Sequence, residues 1–154
     1  MRDRWRVVGV LAAALFAVNV AARLVIRLGF DGDDNAADRV SLGMFVVIGL
    51  ILAGVAFRWG RDRPLARWAA DVAAAVAVAL LLTIFVGPLL VGANPFADGA
   101  GTFFAQVWFY LAATGAGVLV GYLVLTALGL DHRSQQLKRY AEIKAAKPRK
   151  VVRR

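Results

Sequence analysis

The chain has 154 residues, of which 60% are hydrophobic, and its mean hydropathy is +0.66. A soluble domain is nearer half apolar, so this composition favours an integral membrane protein. The absence of cysteine excludes disulfides, thiolate metal sites and cysteine nucleophiles, and the single histidine, His132, cannot form a metal site with other histidines.

Four long apolar runs are separated by short polar stretches, at about residues 7–28, 40–57, 69–91 and 103–130. Each is close to the ~20 residues that span a bilayer core of ~30 Å. The sequence therefore predicts an all-α integral membrane protein, a four-transmembrane-helix bundle over residues 1–130. A basic cytoplasmic tail, residues 131–154, follows, and we expect it to continue the last helix as far as Pro148, with a flexible end beyond.

The first apolar run contains three polar residues at four-residue spacing: Asn19, Arg23 and Arg27. This spacing places them along one helix face. The two arginines are close enough to the segment's end to snorkel, whereas Asn19 is too deep and should hydrogen-bond to another helix. The alternatives are a binding site for an anionic headgroup, to which Gln106, at a depth near that of Arg23, would contribute, and a contact with a partner subunit.

The segments that follow contain two local signals. Asp71 is the only acidic residue inside a predicted span, and we expect it in the first turn of its helix, with Arg67 four residues earlier. Gly87-Pro88 lies in the final third of the third segment, where proline predicts a kink or a break. The stretch 29–39, which is rich in Asp and Gly, is interpreted as a solvated loop.

The fourth segment and the tail contain the candidate interface residues. Gly117 and Gly121 are spaced for close approach of another helix. In the tail, Leu137 and Tyr140 fall on one helix face. These four residues are the predicted contacts with a partner.

The basic residues indicate the orientation. Sixteen of the nineteen Lys and Arg residues lie at the N-terminus, in the stretch 58–68 and in the tail, while the two loops at the opposite ends of the spans contain five Asp. Because basic residues flank spans on the cytoplasmic side, we expect a multi-pass protein of the bacterial inner (plasma) membrane with both termini cytoplasmic.

No sequence motif indicates catalysis. The chain has no Ser-His-Asp order, no paired catalytic carboxylates, no P-loop and no Gly-rich nucleotide fingerprint. We therefore expect a protein that is not an enzyme and that uses no cofactor or metal. The basic tail lacks a nucleic-acid fold signature, and its position after a membrane helix favours anionic membrane lipids or an acidic protein surface over nucleic acid.

The layout of the chain resembles a family of transport subunits. The Ala-, Val-, Arg- and Asp-rich composition is typical of a GC-rich actinobacterium. A short four-helix protein with both ends inside and a basic tail resembles the LucB-like small accessory subunits of actinobacterial mammalian-cell-entry (Mce) type lipid importers. The resemblance covers the whole chain, rests on layout and general likeness, and assigns no site residue. It implies association with the permease subunit of an ABC transporter complex in the cell envelope.

Two functions therefore remain open. The first is a non-enzymatic accessory subunit of a larger membrane transport complex. Co-purification of a permease with the chain would support this function. The second is a small carrier or flippase for a lipid-linked anionic substrate, similar to the GtrA-type four-helix proteins, acting as a homo-oligomer. The carrier would use Asn19, Arg23 and Arg27 to hold its substrate.

Overall fold

The chain is all-helical, with no strand, in the part that the computed structural model describes, which comprises residues 2–30, 34–90, 92, 94, 96 and 99–146. The predicted flexible end, residues 148–154, lies outside these ranges. The helices are α1 (Arg2–Gly29), α2 (Asp34–Asp62), α3 (Leu65–Leu81), a π-helical turn (Leu82–Val86), α4 (Gly87–Leu90), α5 (Gly99–Ala127) and α6 (His132–Ala146).

Within the described ranges, four helical segments are long and apolar enough to cross a membrane, which confirms the predicted number of apolar helices. They extend beyond the apolar runs at several ends. The prediction of a loop over residues 29–39 is wrong in its second half, because α2 begins at Asp34. A carboxylate in the first turn is favoured by the helix dipole, and two alanines that follow have high helix propensity.

The helices pack unequally. α1 contacts both α2 and α3, the most extensive contact joins α2 to α5, and α3 and α5 barely meet. The core lies between these helices and is formed by large apolar side chains together with alanines at close-packed positions, among them Leu15, Ile48, Leu52, Trp68, Ala75, Ala79 and Tyr110.

The contact between α2 and α5 is made backbone to backbone. A Cβ added at Gly117 would lie 2.7 Å from the Cα of Gly49, and one added at Gly121 would lie 2.7 Å from the Cα of Ala53. The prediction that Gly117 and Gly121 form a partner interface is therefore corrected: both glycines are buried, and their close approach is to α2 of the same chain.

The sequence predicts a kink or a break at Gly87-Pro88, and the structure has a local widening of the helix there, not an end. The turn immediately before Gly87 is π-helical, and α4 continues from Gly87 to Leu90. Proline at 88 cannot donate a backbone hydrogen bond, and its ring clashes with the carbonyl one turn earlier. Widening that turn into a π-bulge relieves the clash without ending the helix.

The last apolar helix does not run on into the tail, contrary to the prediction. Gly129 adopts a left-handed conformation with φ of +60°, and the N–H of Leu130 donates to the carbonyl of Leu125 at 3.1 Å. These features form a Schellman C-cap. Asp131 then begins α6 by accepting a hydrogen bond from the Ser134 N–H at 3.1 Å. The helical extension is therefore a separate helix.

The two ends of the bundle differ in charge. One end, called the basic end, gathers the start of α1, the α2–α3 turn and α6; the opposite end, called the acidic end, contains the start of α2. At the basic end, the buried carboxylate of Asp71 accepts a hydrogen bond from Arg4 Nε at 2.5 Å and lies 3.6 Å from Arg63 Nη1. The partner expected for Asp71, Arg67, is exposed and is not one of these contacts.

Candidate functional site

A polar pocket of about 380 Å³ opens near the acidic end, between α1, α2 and α5. Its volume is within the range of small-molecule sites, ~300–1,000 Å³. Half of its lining residues carry a polar side chain, namely Asn19, Arg23, Asp38, Ser41, Thr102 and Gln106. Three of the four predicted ligand-binding residues therefore share one cavity.

Asn19 is the deepest polar group of this pocket and is only 1% exposed. Its amide Nδ2 lies 3.1 Å from the Sδ of Met44 on α2, and its Oδ1 accepts a hydrogen bond from Arg23 Nε at 3.0 Å. The predicted contact with another helix is confirmed. Because a thioether is a weak acceptor, the charge-assisted bond from Arg23 is the stronger of the two.

Arg23 is positioned at the pocket by its hydrogen bond to Asn19 on the same helix, and glycine at position 87 leaves space for it. A Cβ at Gly87 would lie 3.0 Å from Arg23 Nε and 3.2 Å from Asn19 Oδ1, so glycine at that position makes room for the polar pair. Within the described ranges, the terminal nitrogens of Arg23 have no hydrogen-bond acceptor. Those nitrogens are therefore available to a ligand.

Two further groups extend the site around α1. Gln106, on α5, lines the pocket opposite α1, as its depth predicts. Asp38, on α2, also lines it, although the sequence predicts a solvated loop at this position. The signal that could have located Asp38 is the good helix formers after Asp34, which place Asp38 one turn into α2.

Arg27 does not line the pocket, although it continues the four-residue spacing of Asn19 and Arg23. Four residues advance a helix by about 400°, so each step drifts by about 40° from the face. Arg27 is thus turned by about 80° from Asn19 and lies on the exposed surface. The ligand site predicted from the row contains its first two members and not its third.

The remaining predicted interface residues are on α6. Leu137 and Tyr140 are 61% and 67% exposed, and Ile143 is exposed beside them. α6 is attached to the basic end through Gln135, whose Nε2 donates to the carbonyl of Leu130 at 2.5 Å and approaches that of Arg61 at 3.5 Å. All residues from Gln136 to Ala145 are exposed, so the apolar row of α6 is not covered by its own bundle.

An apolar groove of about 530 Å³ separates α3 from α5. It exists because these two helices barely meet, and Trp68, Thr114 and Tyr122 are among its lining residues. The Thr114 hydroxyl donates to the carbonyl of Leu111 in its own helix at 3.0 Å, so it presents little polarity to the groove.

Comparison of the chain with protein-family models, curated proteins and solved structures finds no match.

Proposed function

We propose that this protein is a non-enzymatic accessory subunit of a larger membrane transport complex, in which it stabilises or regulates the permease. In this proposal the four apolar helices cross the plasma membrane with both termini cytoplasmic. The layout of the sequence suggests a lipid importer of the mammalian-cell-entry type as the host complex.

The observation that carries the proposal is the exposed row of Leu137, Tyr140 and Ile143 on α6. α6 lies beyond the apolar segment of α5, so these side chains are not covered by the bundle. Large apolar residues that remain exposed together on a polar helix indicate an interaction site. The row is spaced at three residues, as expected for a helix that contacts a groove on another protein.

A protein partner fits α6 better than the membrane surface does. An interfacial membrane helix needs a broad apolar face that lies opposite a strongly charged one. α6 has only three large apolar side chains among fifteen residues, surrounded by charged and amide groups. Such a narrow row suits a complementary groove on a permease or on its ATPase.

Co-purification in mild detergent tests the proposal. The tagged wild-type chain should co-purify with a permease at a fixed stoichiometry. Leu137→Glu combined with Tyr140→Glu should remove the permease and leave the chain in the membrane fraction. Ala145→Glu adds a negative charge about 140° around α6 from Tyr140 and should leave the complex intact. A wild-type chain that purifies only as a homodimer contradicts the accessory role.

The convergence of Asn19, Arg23 and Gln106 in one pocket favours a second candidate, a carrier or flippase for a lipid-linked anionic substrate. Charge-assisted hydrogen bonds contribute about 1.5–3 kcal/mol, so Arg23→Ala should weaken substrate movement about tenfold or more. Arg27→Ala removes the same charge outside the pocket and serves as the control. Movement in liposomes by the purified wild-type chain without a permease would favour the carrier.

A further inference from the structure

The polar pocket contains one cationic and one anionic side chain that do not pair with each other. Arg23, on α1, uses its Nε for Asn19 and keeps its terminal nitrogens without an acceptor among the described residues. Asp38, on α2, makes no hydrogen bond or ion pair with any residue in the described ranges. Both charges are therefore available, at separate points of one cavity.

This charge arrangement discriminates between classes of ligand. A guanidinium with free terminal nitrogens is suited to bind a phosphate through two parallel hydrogen bonds. A ligand with only negative charge would gain this contact but would also face the carboxylate of Asp38, which repels it. A ligand with only positive charge would be attracted by Asp38 but repelled by the guanidinium of Arg23. A molecule with a phosphate at one end and an ammonium group at the other satisfies both side chains.

The rest of the lining agrees with a lipid as the source of that molecule. Phe45 and Phe109 line the same pocket, and their ring centroids are 6.3 Å apart. Aromatic faces attract ammonium groups and also pack against acyl chains. The pocket opens near the acidic end of helices that are long and apolar enough to span a bilayer. In a membrane, lipid headgroups would be present at that level.

We propose that the polar pocket binds the headgroup of a zwitterionic phospholipid, with its phosphate at Arg23 and its ammonium group at Asp38. Gln106, across the pocket on α5, donates its amide to the phosphodiester oxygens. Asn19 is a positioning residue, because its Oδ1 accepts from Arg23 Nε and so fixes the direction of the guanidinium. The inference goes beyond the accessory role, since it concerns a ligand and not a partner protein.

Lipid retention by the full-length purified chain tests this assignment. The protein in mild detergent is offered phosphatidylethanolamine, phosphatidylglycerol or soluble glycerophosphoethanolamine, and the bound fraction is measured by native mass spectrometry. Wild type should retain phosphatidylethanolamine at least tenfold better than phosphatidylglycerol. The soluble headgroup should bind at least tenfold more weakly than the lipid.

Two substitutions test the contributions of the two charges one at a time. Arg23→Gln should reduce phosphatidylethanolamine retention about tenfold. Asp38→Asn should remove the preference, bringing the two lipids within about threefold of each other, because the repulsion of the anionic lipid is lost. Arg27→Gln and Asp34→Asn remove the same charges from the same helices outside the pocket and should leave both lipids unchanged.

Three results would overturn the inference: equal or better retention of phosphatidylglycerol by wild type, an unchanged lipid ratio in Asp38→Asn, or soluble glycerophosphoethanolamine binding as well as the lipid. The last result would assign the pocket to a soluble phosphodiester. If Arg23→Gln does not fold, Asp38→Asn and Gln106→Leu decide the matter. Retention is measured without a permease and without transport, so its failure is distinct from failure of either function proposed above.

Discussion

Asp71 is a buried carboxylate between two arginines that remain partly in solvent. Its side chain is 5% exposed, against 56% for Arg4 and 42% for Arg63. Removing the carboxylate lets both guanidinium groups return to water, whereas removing the arginines leaves a buried negative charge without a partner. The second change costs more free energy, because an uncompensated buried charge is expensive.

We therefore expect an asymmetry in stability. Asp71→Asn should lower the free energy of unfolding by about 1 kcal/mol. Arg4→Ala combined with Arg63→Ala should lower it by about 3 kcal/mol. The measurement is reversible unfolding by SDS titration in mixed micelles. Arg6→Ala combined with Arg67→Ala removes two arginines from the same segments without touching Asp71, and it should have little effect. Equal losses for both double variants would contradict the role of Asp71.

At the scale of single elements, α2 and α5 pack closely because glycines at the contact allow the two backbones to approach each other. Backbone atoms of Gly49 and Ala53 occupy the space where a side chain at Gly117 or Gly121 would begin. Backbone cannot move aside as a flexible side chain does, so any Cβ at these positions must push the helices apart. In a bilayer, such close approach is a main source of helix association.

Gly117→Ala and Gly121→Ala should each destabilise the bundle by about 1–3 kcal/mol, the usual cost of overpacking a core. Gly115→Ala is the matched control, because it lies on the same helix and a Cβ there meets nothing within 4 Å. Disulfide cross-linking between cysteines introduced on α2 and α5 reports the separation. Wild-type cross-linking efficiency in Gly121→Ala would show that the contact is looser than described.

Asp131 caps the start of α6, and its carboxylate stabilises the helix more when it is ionised. Hydrogen bonds from Ser134, side chain first and backbone second, hold the pKa of Asp131 below its ordinary value. The charged carboxylate also favours the start of the helix through the helix dipole. A depressed pKa in the folded state means that the stabilisation is present at neutral pH and is lost as the pH falls through the folded pKa.

Backbone amides of residues 132–146 should therefore lose protection from hydrogen exchange on acidification. Protection should be constant above the ordinary aspartate pKa of about 3.9 and should decline below it, after correction for intrinsic exchange. Asp131→Asn keeps an acceptor for the Ser134 N–H but does not titrate, so its protection should be flat across this range. A peptide from α5 provides the internal reference. Equal pH dependence in wild type and Asp131→Asn would exclude Asp131 as the titrating group.

For the whole molecule, the distribution of charge predicts a single orientation. The start of α1, the α2–α3 turn and α6 meet at the basic end, and Asp38 lies near the other. Basic residues that flank spans are retained on the cytoplasmic side. A reporter inserted near Arg61 or fused after Arg154 should thus read cytoplasmic, and one inserted near Asp33 should read external. An external reading after Arg154 would be incompatible with four spans and a cytoplasmic N-terminus.

Packing of the whole molecule leaves α3 and α5 apart. α1 contacts α2 and α3, and α5 contacts mainly α2, so the groove between α3 and α5 stays open over an apolar surface. Four helices of this length can bury only part of their apolar surface on each other. In a membrane the remainder faces lipid without the cost that it would have in water. The groove by itself therefore requires no partner.

The sequence by itself determined the features that act along one helix. Length and apolar content indicate the four long helices, Pro88 indicates the distortion in the third, and the placement of Arg and Lys indicates the two unlike ends. The separate start of α6 also has a local cause, since Gly129 and Asp131 are a helix stop and a helix cap. In the sequence, that signal competes with the good helix formers that follow, which favour one continuous helix.

Only the tertiary structure decided which residues meet. It brought Asp38 into the pocket with Arg23, paired Asp71 with Arg4 and Arg63, and placed Gly117 and Gly121 against α2. The physical reason is that spacing along a helix fixes a residue's angle about that helix alone. The rotation and tilt of each helix relative to its neighbours come from the packing of all side chains together.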